Sequence, residues 1–154
     1  MGAQIRLEWR KFSKLTEACF VFARDPCVYI QTDAAENPIR IGKASEGLEA
    51  RYRGGTGYAI DAAMHGSDNL VFVAAVPKEL CKAVEDELIW QGRRQLIYNN
   101  NGKILPPIQR LVFVHEGMVP KLQEFEIWVP AEAKQKPAYF TRHRIAATLG
   151  LCSS

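Results

Sequence analysis

Hydrophobic and polar positions along this chain change their rhythm repeatedly, and each change marks an expected element. Residues 4–9 read as a short strand. Residues 14–24 read as a helix with Ser13 as its N-cap, broken by Asp25-Pro26. Cys27-Val28-Tyr29-Ile30-Gln31-Thr32 is β-branched and aromatic, as strands are, and Ile39-Arg40-Ile41 reads as its partner across a polar loop ending at Pro38. Residues 27–42 thus predict a hairpin. A helix should follow, capped by Ser45 and holding Leu48, Arg51 and Tyr52, until Arg53-Gly54-Gly55-Thr56-Gly57 ends it. Residues 69–76 predict a buried strand that Pro77 stops, and Pro77 also suits the start of a helix over 78–95. Residues 99–102 predict a turn, residues 111–114 and 125–129 further strands or extended segments, and 141–151 a short basic helix. The order predicts an α+β domain built on a small, mainly antiparallel sheet flanked by helices.

Composition narrows the class without naming a function. A chain of 154 residues, 47% hydrophobic and 24% charged, has room for one core, so a single domain over 1–154 is expected. No apolar run is long enough to span a membrane, and the polar N-terminus does not read as a signal peptide. The expected setting is cytoplasmic, in a nucleoid-associated form if the source is bacterial, with no membrane partner. A net charge of +3 permits a polyanionic partner without requiring one. Cys19, Cys27, Cys81 and Cys152 form no Cys-x-x-Cys pair, which argues against a zinc site and for thiols that pack as small apolar groups.

Alternation within the hairpin places candidate chemistry. Val28 and Ile30 share one face, and Tyr29 takes the other; Ile39 and Ile41 share a face opposite Arg40. If the apolar faces coincide in the core, Tyr29 and Arg40 emerge together on the opposite side. Gly42 then allows a sharp turn, and Lys43 follows at once. In the helix expected over 78–95, a turn of about 100° per residue gathers Leu80, Cys81, Val84, Leu88 and Ile89 on one side. Asp86 points roughly opposite and Glu87 lies well off that side, whereas Glu85 falls within the apolar arc. A carboxylate there is costly unless a cation or metal compensates it, so Glu85 is the acid of this helix that most needs an explanation.

These residues resemble the GIY-YIG nucleases. That family carries Gly-Ile-Tyr on one strand and Tyr-Ile-Gly on the next; here the elements are Cys27-Val28-Tyr29 and Arg40-Ile41-Gly42, separated by the family's spacing. The family continues with Gly-Lys and Leu-x-x-Arg, matched by Gly42-Lys43 and Leu48-Glu49-Ala50-Arg51. It then has Glu-x-x-Leu-Ile and Tyr-Asn, matched by Glu85-Asp86-Glu87-Leu88-Ile89 and Tyr98-Asn99. The resemblance covers residues 26–101 and leaves 1–25 and 102–154 as additions, expected to extend the sheet or to touch DNA. It departs from the family where Arg40 replaces the second-motif tyrosine and Cys27 the first glycine.

The resemblance implies an endonuclease that hydrolyses DNA phosphodiester bonds with one divalent cation, Mg²⁺ or Mn²⁺, leaving a 5′ phosphate and a 3′ hydroxyl. Glu85 would be the metal ligand, a carboxylate suiting a hard ion that keeps several waters. Tyr29 would activate the attacking water, and because a phenol is a poor base at neutral pH, cations such as Arg40, Lys43 and Arg51 would have to assist it. Arg51 would contact the phosphate and Asn99 complete the site by a hydrogen bond. Arg40, Lys43, Arg51 and Arg53 would hold the DNA backbone. Specificity would then rest on DNA structure, a homodimer or a partner protein. The alternative is a catalytically silent DNA-binding module of the same fold, with Arg40 as the disabling change; a protein-interaction domain indifferent to metal is a further one. Gly54-Gly55-Thr56-Gly57 lacks the Gly-Lys-Ser/Thr of a phosphate loop, and His65, His115 and His143 show no metal-ligand spacing. The basic tail residues Arg142, His143 and Arg144 read first as a solvated helix.

Overall fold

Strand β2 (Cys27–Thr32) is buried at every residue, which half-buried strands are not. It has this burial because it is flanked by strands on both edges and packed on both faces. A computed structural model describes residues 3–52, 68–97, 99 and 101–129 of the chain. Along one edge β2 pairs antiparallel with β3 (Pro38–Ala44), and along the other with β4 (Leu70–Ala75). The strand expected over 4–9 is longer: β1 (Ala3–Phe12) pairs antiparallel with β4 and parallel with β5 (Leu111–Gly117). The result is a five-stranded mixed sheet in the order β3-β2-β4-β1-β5, flanked by helices, and thus an α+β architecture.

Each face of the sheet has its own core. On one face Leu7, Trp9, Val28, Ile30, Ile41 and Phe72 pack with Cys81, Val84 and Leu88 of the long helix and with Leu122 and Phe125. On the other, Phe12, Tyr29, Val71 and Val73 pack with Ala18 of α1 (Leu15–Val21), with Phe22 just beyond it, and with Leu48 of α2 (Leu48–Tyr52). The buried indole of Trp9 donates to His115 Nδ1 at 3.0 Å and so ties the parallel pair β1–β5 together. Cys27 and Cys81 are buried free thiols, and burial pushes the Cys27 thiol up to about 12.

Both shorter helices begin differently from the sequence expectation. Lys14, not Ser13, is the N-cap of α1, and it makes no side-chain cap bond. Ser45 does not cap α2 either. The amides of Leu48 and Glu49 instead donate to the carbonyls of Phe22 and Ala23, at 2.8 and 3.2 Å, so the end of the α1 segment satisfies the start of α2. Gly47 makes this approach possible: its φ is +95°, and a Cβ there would strike the backbone of Ala23 and Arg24.

The helix expected over 78–95 is a 3-10 turn at Lys78–Leu80 followed by α3 (Cys81–Gln91). It ends early at Gly92, whose amide donates to Leu88 O at 3.0 Å. Its buried face holds the expected Cys81, Val84, Leu88 and Ile89 but is wider than expected. Glu87 and Gln91 are buried beside Val84 and Leu88, so Glu87 is a core residue and not a flanking one. It stays buried because Arg110 Nε and Nη2 grip both carboxylate oxygens, at 2.8 and 2.9 Å, and Gln91 Nε2 donates at 2.9 Å. Residues 125–129 lie outside the sheet, fastened to α3 by the Glu126 amide on Gln91 O at 2.7 Å. The expected tail helix over 141–151 falls outside the described residues. Among those described, no helix is long and apolar enough to cross a membrane.

Candidate active site at the β3 edge

Strand β3 is an edge strand, and an edge allows side chains from opposite faces of a sheet to converge on one rim. Tyr29 and Gly42 are register partners in the β2–β3 pair, as are Gln31 and Arg40, so these residues share a face. Tyr29 and Arg40 do lie together, but not on an open surface. The face is covered by α1 and α2, and Tyr29 is 0% exposed. Its ring lies across Gly42, where a Cβ would collide with the phenol oxygen. That placement carries the hydroxyl toward the sheet edge. Arg40 Nη1 donates to it at 3.1 Å and Arg51 Nε, from α2, at 3.3 Å. The Arg40 guanidinium also stands 5.9 Å from the Tyr29 ring centroid and donates to Gln31 Oε1 at 3.4 Å. Gln31 is a buried polar residue beside the arginine that the motif comparison passed over; alternation from Tyr29 would have found it.

Lys43 and Glu85 approach the rim from the other face. Lys43 pairs with Val28, so it lies on the α3 side of β3, opposite Tyr29 and Arg40, and its Nζ lies 3.5 Å from Ser45 Oγ. Glu85 is half-buried on α3. Burial pushes its carboxyl above the usual range and Asp86 adds to this, against the pull of Lys43, Lys82 and Arg51. Glu85 borders a groove of about 500 Å³ whose lining includes Arg40, Lys82, Asp86, Asn99, Leu105 and Pro107. Lys43 and Arg51 line a second, smaller hollow of about 270 Å³ at the β3–α2 turn. The candidate residues therefore occupy two adjoining hollows. The hydroxyl of Tyr29, bonded to Arg40 of one and Arg51 of the other, joins them.

Asn99 lies along the edge itself. Its Oδ1 accepts from the Ile41 amide at 2.8 Å, and its Nδ2 donates to the Ile41 carbonyl at 2.9 Å. The side-chain amide thus imitates a neighbouring strand and satisfies backbone groups that an edge leaves open. Lys82 and Asp86, neither expected from sequence to belong to the site, pair with each other at 2.8 Å in the groove. Arg53 falls outside the described residues.

Among the described residues no group of three or more His, Cys, Asp or Glu side chains could hold a metal ion, so a cage made wholly of protein ligands does not fit. One half-buried carboxylate in an open groove does fit an Mg²⁺-like ion, which keeps most of its waters and takes other ligands from a substrate phosphate. No protein-family model, curated protein or solved structure matches the chain.

Proposed function

We propose that this protein is an endonuclease that hydrolyses DNA phosphodiester bonds with one divalent cation, Mg²⁺ or Mn²⁺, leaving a 5′ phosphate and a 3′ hydroxyl. The observation that carries the reading is the Tyr29 hydroxyl held between two guanidinium groups at a rim that Glu85 borders. In this reading Glu85 holds the cation, which when bound polarises the phosphate. Tyr29 is 0% exposed, so Arg40 must swing off its hydroxyl to admit a water. The hydroxyl then orients that water for attack on phosphorus as the bond to the 3′ oxygen breaks, and the proton the water sheds passes to solvent. The 3′ oxygen takes a proton from solvent. Arg51 keeps its hydrogen bond to the phenol oxygen, and Arg40 and Arg51 are both placed to meet charge growing on the phosphate. Lys43 adds positive field and backbone contact. Asn99 acts through the backbone, fixing Ile41 and with it the neighbouring Arg40.

A second reading, a silent DNA-binding module, is favoured by one contact. Arg40, in place of the family's second tyrosine, bonds the very oxygen that would meet the water. Incubation of supercoiled plasmid with Mg²⁺, Mn²⁺ or chelator separates the two. The nuclease reading expects relaxed and linear products with metal and none with chelator. Salt-sensitive DNA binding without any cleavage in metal would transfer the reading to the silent module.

A further inference from the structure

Beside the groove that Glu85 borders, the chain displays apolar side chains where solubility alone would not put them. Ile104, Leu105 and Ile108 are 89%, 75% and 104% exposed. A lone exposed leucine needs no explanation, but three large aliphatic residues within one short segment do. The segment is not slack. Gly102 turns the chain with φ +82°, Lys103 Nζ bonds to the Leu96 carbonyl, and Arg110 is anchored on the buried Glu87. Between these anchors Pro106 and Pro107 fix their own φ angles. The side chains are thus held out by a braced lip, and ordering them on a ligand carries a small entropic cost.

The lip belongs to the groove, since Leu105 and Pro107 line it together with Arg40, Lys82 and Glu85. Its lining brings the cations Arg40 and Lys82 and the carboxylates of Glu85 and Asp86 together with the apolar Leu105 and Pro107. A nucleic-acid strand joins the two chemistries this lining can meet, charged phosphate and apolar base faces. In a stacked duplex the base faces are hidden, and a strand laid in the groove would offer the lip only sugar and phosphate. We propose that the lip packs against exposed base faces, and that the substrate class is DNA with unpaired or splayed bases beside the phosphate in the groove. This rests on the nucleic-acid reading given above. A protein partner covering the lip is the competing occupant, and the test below separates the two.

The test compares the affinity of the full chain, in chelator, for a splayed-arm DNA carrying 2-aminopurine at the fork and for the matched linear duplex. It is repeated with the Ile104→Ser/Ile108→Ser variant, whose exposed positions leave the core intact and whose fold is checked by circular dichroism. Native protein should prefer the splayed arm by about tenfold and change the 2-aminopurine fluorescence, and the variant should lose both while binding duplex as before. Equal native affinity for the two DNAs, or a preference unchanged in the variant, would overturn the proposal and leave the nuclease reading standing. Binding of neither DNA would remove both. A variant that instead loses self-association in sedimentation would overturn the proposal by assigning the lip to a protein contact.

Discussion

The ring of Tyr29 rests on the backbone of Gly42, its register partner across β2–β3, in the space where any other residue would carry its Cβ. The glycine therefore sets the height of the phenol oxygen relative to Arg40 and Arg51. Gly42→Ala must push the ring off the strand. Overpacking of this kind should cost about 1–3 kcal/mol in denaturant unfolding, and it should reduce DNA cleavage more than DNA binding. A variant as stable and as active as the native protein would show that the ring's seat is unimportant.

The buried pair Glu87–Arg110 makes a prediction about stability alone. Glu87 is 0% exposed and accepts both Arg110 bonds, so Glu87→Ala should strand a guanidinium against the core and destabilise by about 3–5 kcal/mol. Replacing both residues with apolar ones of similar volume should recover most of the loss, because neither charge is then left alone. Urea unfolding of the single and double variants measures this directly.

Glu85 should destabilise the fold while serving the site. Burial raises its carboxyl above the ordinary 4.5, so the protonated form is the one the fold favours. That contribution is fully present below the unfolded value and is lost as pH rises through the folded one. Glu85→Gln should therefore melt higher than native protein at neutral pH, by roughly 2 °C, with the gap closing as pH falls. Added Mg²⁺ or Mn²⁺ should raise the native melting temperature and leave that of the variant unchanged.

Asp33 should show the opposite sign. Burial raises its carboxyl, but bonds from the Asn37 amide and side chain and from the Ala35 amide, with Lys121 nearby, outweigh this and hold it below the usual range. Those bonds, at 2.8, 3.2 and 3.0 Å, close the β2–β3 loop. Their contribution is present above the unfolded pKa and is lost as pH falls through the folded one. Acid titration should open the hairpin loop, and Asp33→Ala should weaken that dependence on pH, followed by amide exchange across residues 33–37.

The hairpin was legible in the sequence because strand alternation is strict: one register places Tyr29, Gln31, Arg40 and Gly42 on one face and Val28, Ile41 and Lys43 on the other. The burial of Tyr29 was not, because periodicity describes one strand at a time and does not say that helices cover both faces. The extension of the buried face of α3 to Glu87 and Gln91 escaped for a related reason. Glu87 and Gln91 look solvent-facing by composition, and only Arg110, distant in sequence, makes their burial affordable. Caps read from Ser13 and Ser45 failed because helix ends accept any donor or acceptor, and the carbonyls of Phe22 and Ala23 reach α2 through a tertiary contact. Asn99 lies where the motif expects an asparagine, but its bidentate hold on Ile41 depends on β3 being an edge, which no local pattern states.

The most direct test of the central claim is cleavage of supercoiled plasmid in Mg²⁺ or Mn²⁺ by native protein and by Glu85→Gln, both confirmed folded by circular dichroism. The account predicts that native protein cleaves, that chelator stops it, and that the variant binds DNA without cutting it. A folded Glu85→Gln protein that cleaves at the native rate, or a native protein that cleaves equally well in chelator, would contradict it.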